Sequence, residues 1–129
     1  MRVSLVTPDA TYYDGEARSV VLEASDGSMG ILPGHAPLIA ALGHGVAEVD
    51  DGQETHRVAV YGGFVKVQDD VVSVLAGGAA RREGDADSAR AALEEARAAL
   101  ARAREAGSPT AIAEASERVK RAQAFLALF

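Results

Sequence analysis

The distribution of glycine divides this chain in two. Twelve of its thirteen glycines lie at or before Gly84, and only Gly107 lies beyond. Glycine weakens a helix interior by roughly 1 kcal/mol relative to alanine, so the first region is no helical bundle. Fifteen alanines between 89 and 127 give the remainder the opposite character, because alanine has the best helix propensity. At 129 residues the chain suits one compact core plus an appendage. The charge divides at the same place, with 6 basic and 12 acidic residues over 1–84 (−6) and 7 of each over 85–129 (zero).

Residues 1–84 read as short strands separated by turns at Pro8-Asp9, Asp14-Gly15, Asp26-Gly27, Asp51-Gly52 and Asp69-Asp70. Val46-Ala47-Glu48-Val49-Asp50 and Phe64-Val65-Lys66-Val67-Gln68 alternate with period two, the pattern of strands that cover a core on one side. Ser19–Leu22 and Val71–Leu75 are more uniformly apolar. Turns at such regular spacing predict an antiparallel β-sandwich. With three Phe, three Tyr and no Trp, its core must be built from Val, Leu, Ile and Ala.

From Asp85 the period becomes helical. Ala89, Leu93, Ala96, Leu100 and Ala103 share one face, and Ile112, Ala115, Val119, Ala122, Leu126 and Phe129 form a second stripe. Between them Gly107-Ser108-Pro109 supplies a stop glycine, an N-cap and a first-turn proline. Helices joined so tightly run antiparallel, which makes 85–129 a two-helix hairpin. An alanine seam buries little area, so the hairpin depends on packing against something else. A detachable arm is the physical expectation.

Several function classes drop out. Net charge −6 opposes binding to a nucleic-acid backbone. Without cysteine there is no disulfide, thiolate metal site or Cys nucleophile. His35, His44 and His56 lack the i, i+4 spacing of a helical zinc motif, and no metal site is expected. The glycines around Gly43-His44-Gly45 and Gly62-Gly63 lack the ending of a phosphate loop and read as turns or bulges within strands. No Gly-x-Ser-x-Gly elbow is present, so no catalytic residues and no enzyme activity are expected. Pro8 comes before any apolar leader could form, and no apolar run reaches membrane-spanning length. Membrane association is expected only through a partner.

One segment is more specific. Asp26-Gly27-Ser28-Met29-Gly30-Ile31-Leu32-Pro33-Gly34-His35-Ala36-Pro37-Leu38-Ile39 packs three glycines and two prolines around a short apolar run. Such a stiff loop presents a surface at little entropic cost. Its Gly30–Leu38 portion resembles the signature loop of F-type ATP synthase epsilon subunits. Leu5-Val6-Thr7-Pro8-Asp9, Gly62-Gly63-Phe64-Val65-Lys66-Val67 and Val72-Ser73-Val74-Leu75-Ala76 match in the same order, and the alanine-rich hairpin has the family's length and position.

The resemblance implies a non-catalytic rotor subunit at the cytoplasmic face of a bacterial plasma membrane, held there peripherally. Its sandwich, 1–84, would dock on the gamma subunit and the c-ring, with Gly30, Ile31, Leu32, Pro33, Gly34 and His35 as contact loop. Its hairpin, 85–129, would fold onto the sandwich or extend along gamma toward the alpha/beta catalytic subunits and restrain ATP hydrolysis. A stalk subunit should also expose an apolar patch beside that loop, whereas a free-standing nucleotide sensor should not.

No cofactor is required on this reading, but some bacterial members bind a regulatory ATP in the folded hairpin. Of their pattern this chain keeps Asp87, Arg90, Arg97 and Arg121 and departs at Ala86, Phe125 and Arg81, with Glu83 near the last. The arginines either converge on phosphates or form a solvated face paired with Glu94 and with Glu114 or Glu117.

Overall fold

The computed structural model describes all 129 residues. Eight strands come first: β1 (Arg2–Val6), β2 (Thr11–Glu16), β3 (Ser19–Ala24), β4 (Gly27–Ile31), β5 (Leu38–Asp50), β6 (Thr55–Gln68), β7 (Val71–Ala76) and β8 (Ala79–Ala80). Helices α1 (Ala86–Ala106) and α2 (Pro109–Leu126) follow.

The strands form one continuous hydrogen-bonded sheet in the order β2-β1-β7-β6-β5-β3-β4, with β8 paired to β6. It closes into a sandwich because β5 and β6 change face together. Along β5 the core side chains are Leu38, Ala40 and Leu42, then Ala47 and Val49; along β6 they are Val58 and Val60, then Val65 and Val67. Unbroken period-two alternation would keep the same parity throughout. Both strands shift parity where Leu42–Gly45 runs opposite Val60–Gly63. Gly62 and Gly63 have φ of 72° and 115° there, values that suit glycine, and the β5–β6 register passes through the bend unshifted. The two halves of the long hairpin therefore belong to opposite layers and face one core.

That core is aliphatic, as composition requires. Leu5, Leu22 and Ile31 are at most 1 % exposed, and no polar or charged residue is buried. Two expectations fail. Asp14-Gly15 is no turn: it lies inside β2 opposite Ser4 and Val3, where Asp14 pairs across the strands with Arg2 at 2.6 Å. Nor is the sheet wholly antiparallel, since β1 runs parallel to β7 with Arg2–Val6 beside Val71–Leu75. These two strands are far apart in sequence, so no short turn dictates their relative direction.

The hairpin follows its sequence signals. Asp85 caps α1 by accepting the Ser88 amide at 2.7 Å. Gly107 ends it at φ 69°, donating to the Ala103 and Arg104 carbonyls, and the Ser108 hydroxyl accepts the Ala111 amide at 3.3 Å. Ala89, Leu93, Ala96 and Ala103 are buried in the seam as expected, with Leu100 half-buried. On α2 the expected stripe is less complete, with only Ala115 of it fully buried. A second face carries Ala124, which with Leu128 just beyond the helix packs on Ala59 of β6, flanked by Val46, Tyr61, Phe125 and Phe129. α2 therefore docks on the sandwich and α1 packs on α2. Neither helix is long and apolar enough to cross a membrane.

Candidate docking surfaces

Of the expected contact loop, Gly30 and Ile31 lie inside β4 and only Leu32–His35 belong to the connection from β4 to β5. Ile31, the last residue of β4, is fully buried and anchors one end, while Leu32 is 63 % exposed. The His35 amide bonds the Leu32 carbonyl at 3.1 Å, and Gly34 has φ 81°. Proline and then glycine at the two central positions make this a type II turn. The His35 ring approaches its neighbour's carbonyl, Ala36 O, at 2.7 Å. The loop is a shaped projection with an apolar tip.

Beside it lies an apolar sheet face. Strand register sets Val6, Leu75, Phe64 and Ala41 in a row across β1, β7, β6 and β5. Ile39, Phe64 and Leu75 are 71 %, 58 % and 56 % exposed. Ile39 flanks the row near the loop's return to the sheet, and Lys66 is its cross-strand partner. Isolated exposed apolar residues are ordinary, but a group of them side by side on a sheet face marks an interaction surface. Alternation in the sequence sets Phe64 on one face with Lys66 and Gln68; the structure shows that face to be the outer one and the register extends it through Leu75 and Val6.

The outer face of the opposite layer is covered by α2. Arg57 donates to the Leu128 carbonyl at 3.1 Å and the Ala127 carbonyl at 3.0 Å, a favourable place for a cation at a helix C-terminus. The His44 ring bonds both Glu117 oxygens, Oε2 at 3.0 Å. Arg121 lies 4.9 Å above the Tyr61 ring and 3.7 Å from Glu117. The arm is thus held by one small apolar cluster and a few polar contacts.

The residues expected to meet ATP are distributed over these elements. Asp87 and Arg90 pair with each other at 2.6 Å, and Arg90 thereby meets Asp87 rather than Glu94. Arg97 is exposed on α1. Arg121 is engaged with Tyr61 and Glu117, the latter an expected partner. None of the larger surface hollows is lined by any of the four. The largest, a groove of about 750 Å³ between α2 and the sheet, mixes Glu23 and Glu48 with Arg57 and Lys120, so no single ligand charge is favoured.

Asp51, Glu54 and His56 cluster in the β5–β6 turn. Asp51 accepts the Gln53 and Glu54 amides at 2.8 Å each and the His56 ring at 2.9 Å. The Glu54 amide, the His56 ring and the Gln53 amide hold its carboxyl down to about 2. A carboxylate stabilised in the folded state contributes stability above its unfolded value, near 4, that disappears as pH falls through its folded value. Unfolding midpoints in denaturant should accordingly decline between about pH 4 and pH 2, and Asp51→Asn should flatten that decline. An unchanged acid profile in the variant would show that the turn does not contribute.

Comparison with known proteins agrees over most of the chain. Residues 1–82 match the family described as ATP synthase, Delta/Epsilon chain, beta-sandwich domain. The ATP synthase epsilon chain of Trichodesmium erythraeum is 38 % identical over 127 residues, covering 98 % of this chain and 93 % of that relative. The epsilon chain of Leptospira borgpetersenii is 42 % identical over 96 residues, 74 % of this chain and 76 % of its own. Among solved structures, a chain of the Euglena gracilis mitochondrial ATP synthase assembly of OSCP, F1 and c-ring superposes with TM-score 0.79 at 25 % identity, over 94 % of this chain and 76 % of that one. A Tetrahymena thermophila central stalk and c-ring structure shares the fold at TM-score 0.56 and 18 % identity, over 70 % of this chain and 69 % of that one.

Proposed function

The chain belongs to the epsilon-chain family of ATP synthase, and we propose that it is a rotor-stalk subunit whose sandwich docks on gamma and the c-ring while its hairpin regulates hydrolysis. The observation that carries this reading is the bare apolar face of Ile39, Phe64 and Leu75 beside an exposed Leu32. A self-contained sensor has no need of such a face, whereas a subunit covers it on assembly. The Euglena neighbour's place in an assembly with F1 and c-ring supports the same partners. Attachment to the cytoplasmic face of a bacterial membrane then follows through the complex, with this chain peripheral.

The regulatory half of the proposal rests on how the arm is held. α2 reaches the sandwich through Ala124 and Leu128 on Ala59, with half-buried Val46, Tyr61, Phe125 and Phe129 around them, and through polar contacts at half-exposed Glu117 and Arg121 and part-buried His44. Exposed ion pairs contribute at most about 1 kcal/mol each, so the docked and released arm are separated by a small gap. Released, it presents Arg102, Arg104, Arg118, Lys120 and Arg121, a basic set suited to acidic surfaces of the alpha/beta catalytic subunits.

ATP hydrolysis by a catalytic core lacking this subunit, titrated with the full chain and with residues 1–84, tests both halves. Both forms should bind and only the full chain should slow hydrolysis. Binding without inhibition by either form would remove the regulatory role. Binding by neither would remove the stalk assignment.

A further inference from the structure

Asp70 occupies a backbone position that its residue type does not favour. β6 and β7 pair from Gln68 and Val71, leaving Asp69 and Asp70 as a two-residue connection with φ 52° and 62°. Two successive left-handed residues make a type I′ turn, for which Asn-Gly is preferred. Glycine at the second position would relieve the strain. Aspartate instead places a carboxylate there, and its Oδ1 accepts the Gly34 amide at 2.9 Å. Gly34 is the second central residue of the contact-loop turn, whose own hydrogen bond runs from the His35 amide to Leu32. The Gly34 amide is therefore free of the turn and available to an outside acceptor. The Asp70 carbonyl in turn accepts the Arg2 amide at 3.1 Å, which ties the β6–β7 tip to β1.

We propose that Asp70 is a positioning residue of the docking loop: its carboxylate ties the Leu32–His35 turn to the β6–β7 tip, so that Leu32 is presented in a fixed place. The tie joins two loop tips separated by 36 residues in sequence. Fixing the loop before assembly reduces the ordering cost of binding. A strained turn retained where it holds a contact surface fits the general exchange of local stability for function. What the loop meets rests on the stalk reading above; the tie itself is local geometry and is tested separately.

The full chain is compared with Asp70→Gly and Asp70→Asn. Glycine keeps the turn and removes the acceptor, whereas asparagine tolerates the left-handed region and keeps an acceptor oxygen. In Asp70→Gly the Gly34 amide should exchange about tenfold faster, with an unfolding midpoint equal to or above wild type. Binding to a synthase stripped of this subunit should weaken by about tenfold, and Asp70→Asn should restore most of both losses. Unchanged Gly34 exchange in Asp70→Gly overturns the tie. Faster exchange with unchanged binding overturns its role in docking, as does an asparagine variant as weak as glycine. If the wild-type chain itself does not bind, the stalk reading fails and takes the docking role with it, while the exchange result still decides the tie.

Discussion

Gly63→Ala is expected to unfold the chain under conditions where Gly62→Ala stays folded. A Cβ at Gly63 would lie 2.1 Å from the Leu75 carbonyl oxygen and 2.9 Å from the Ala76 Cα, both backbone atoms of β7. Flexible side chains can retreat from such a contact; a paired strand cannot. The backbone at φ 115° also lies where L residues are strained. Together these effects should cost about 3 kcal/mol or more, a large part of the stability of an ordinary domain. At Gly62 the nearest neighbour of an added Cβ is a His44 ring carbon at 3.8 Å, and φ is 72°, so the cost is only the left-handed penalty of about 1–2 kcal/mol. Urea unfolding of the two variants compares them directly. Equal midpoints would mean that β7 does not approach β6 this closely and that the parity shift is not fixed at Gly63.

The same pair of glycines shows where sequence reading stopped. Each glycine stretch read as a turn or bulge, because glycine inside a run of β-branched residues marks a local irregularity; the strands instead run through both without a turn or a shift of register. What remained hidden was that the two glycine-rich stretches pair with each other, so that β5 and β6 bend together with their register intact and a single sheet forms both layers. That is a property of pairing, and pairing between distant segments leaves no local trace. The parallel β1–β7 contact escaped for the same reason. Asp14-Gly15 failed differently: its composition is that of a turn, yet Tyr12 and Tyr13 before it and the Arg2 pair across the sheet favour a strand. Gly107-Ser108-Pro109 was fully legible because stop, cap and first-turn preferences all act within three residues.

The site divides along similar lines. Glycine and proline placement made a stiff loop legible but did not say which residue it presents: Leu32 stands out while Ile31 beside it is buried. Phe64 and Leu75 became a surface only through register, and Asp70 reached the loop only through a contact across 36 residues. The docking face of α2 was hidden by composition: in so alanine-rich a helix, Ala124 fits a seam, a solvated face or a docking face equally well. Leu128 is the one large residue fully inside the docking cluster, and it stands beyond the end of the helix.

Leu128→Ala is for that reason expected to free the arm while leaving the sandwich intact. Leu128 is 3 % exposed and shares its cluster with only two other buried residues, Ala59 and Ala124. The larger residues around it, Tyr61, Phe125 and Phe129, are only half-buried. Truncating a buried leucine costs about 2 kcal/mol at the lower end of the usual range, which corresponds to roughly a 30-fold change in an equilibrium. Because α1 reaches the sheet chiefly by way of α2, amide exchange in both helices should rise together by about that factor, while core amides of β5 and β6 keep their protection. Arg57→Ala, which removes two exposed-edge bonds to the α2 terminus, should have the same pattern at a smaller amplitude. Faster exchange confined to the last turn of α2 would indicate fraying, and the arm would then be held by His44, Glu117 and Arg121 rather than by its apolar end. Set beside the hydrolysis assay, the variant also separates release from inhibition. A freed arm that deepens inhibition places the docked contact as the restraint on regulation, and a freed arm that leaves hydrolysis unchanged means that undocking by itself does not inhibit.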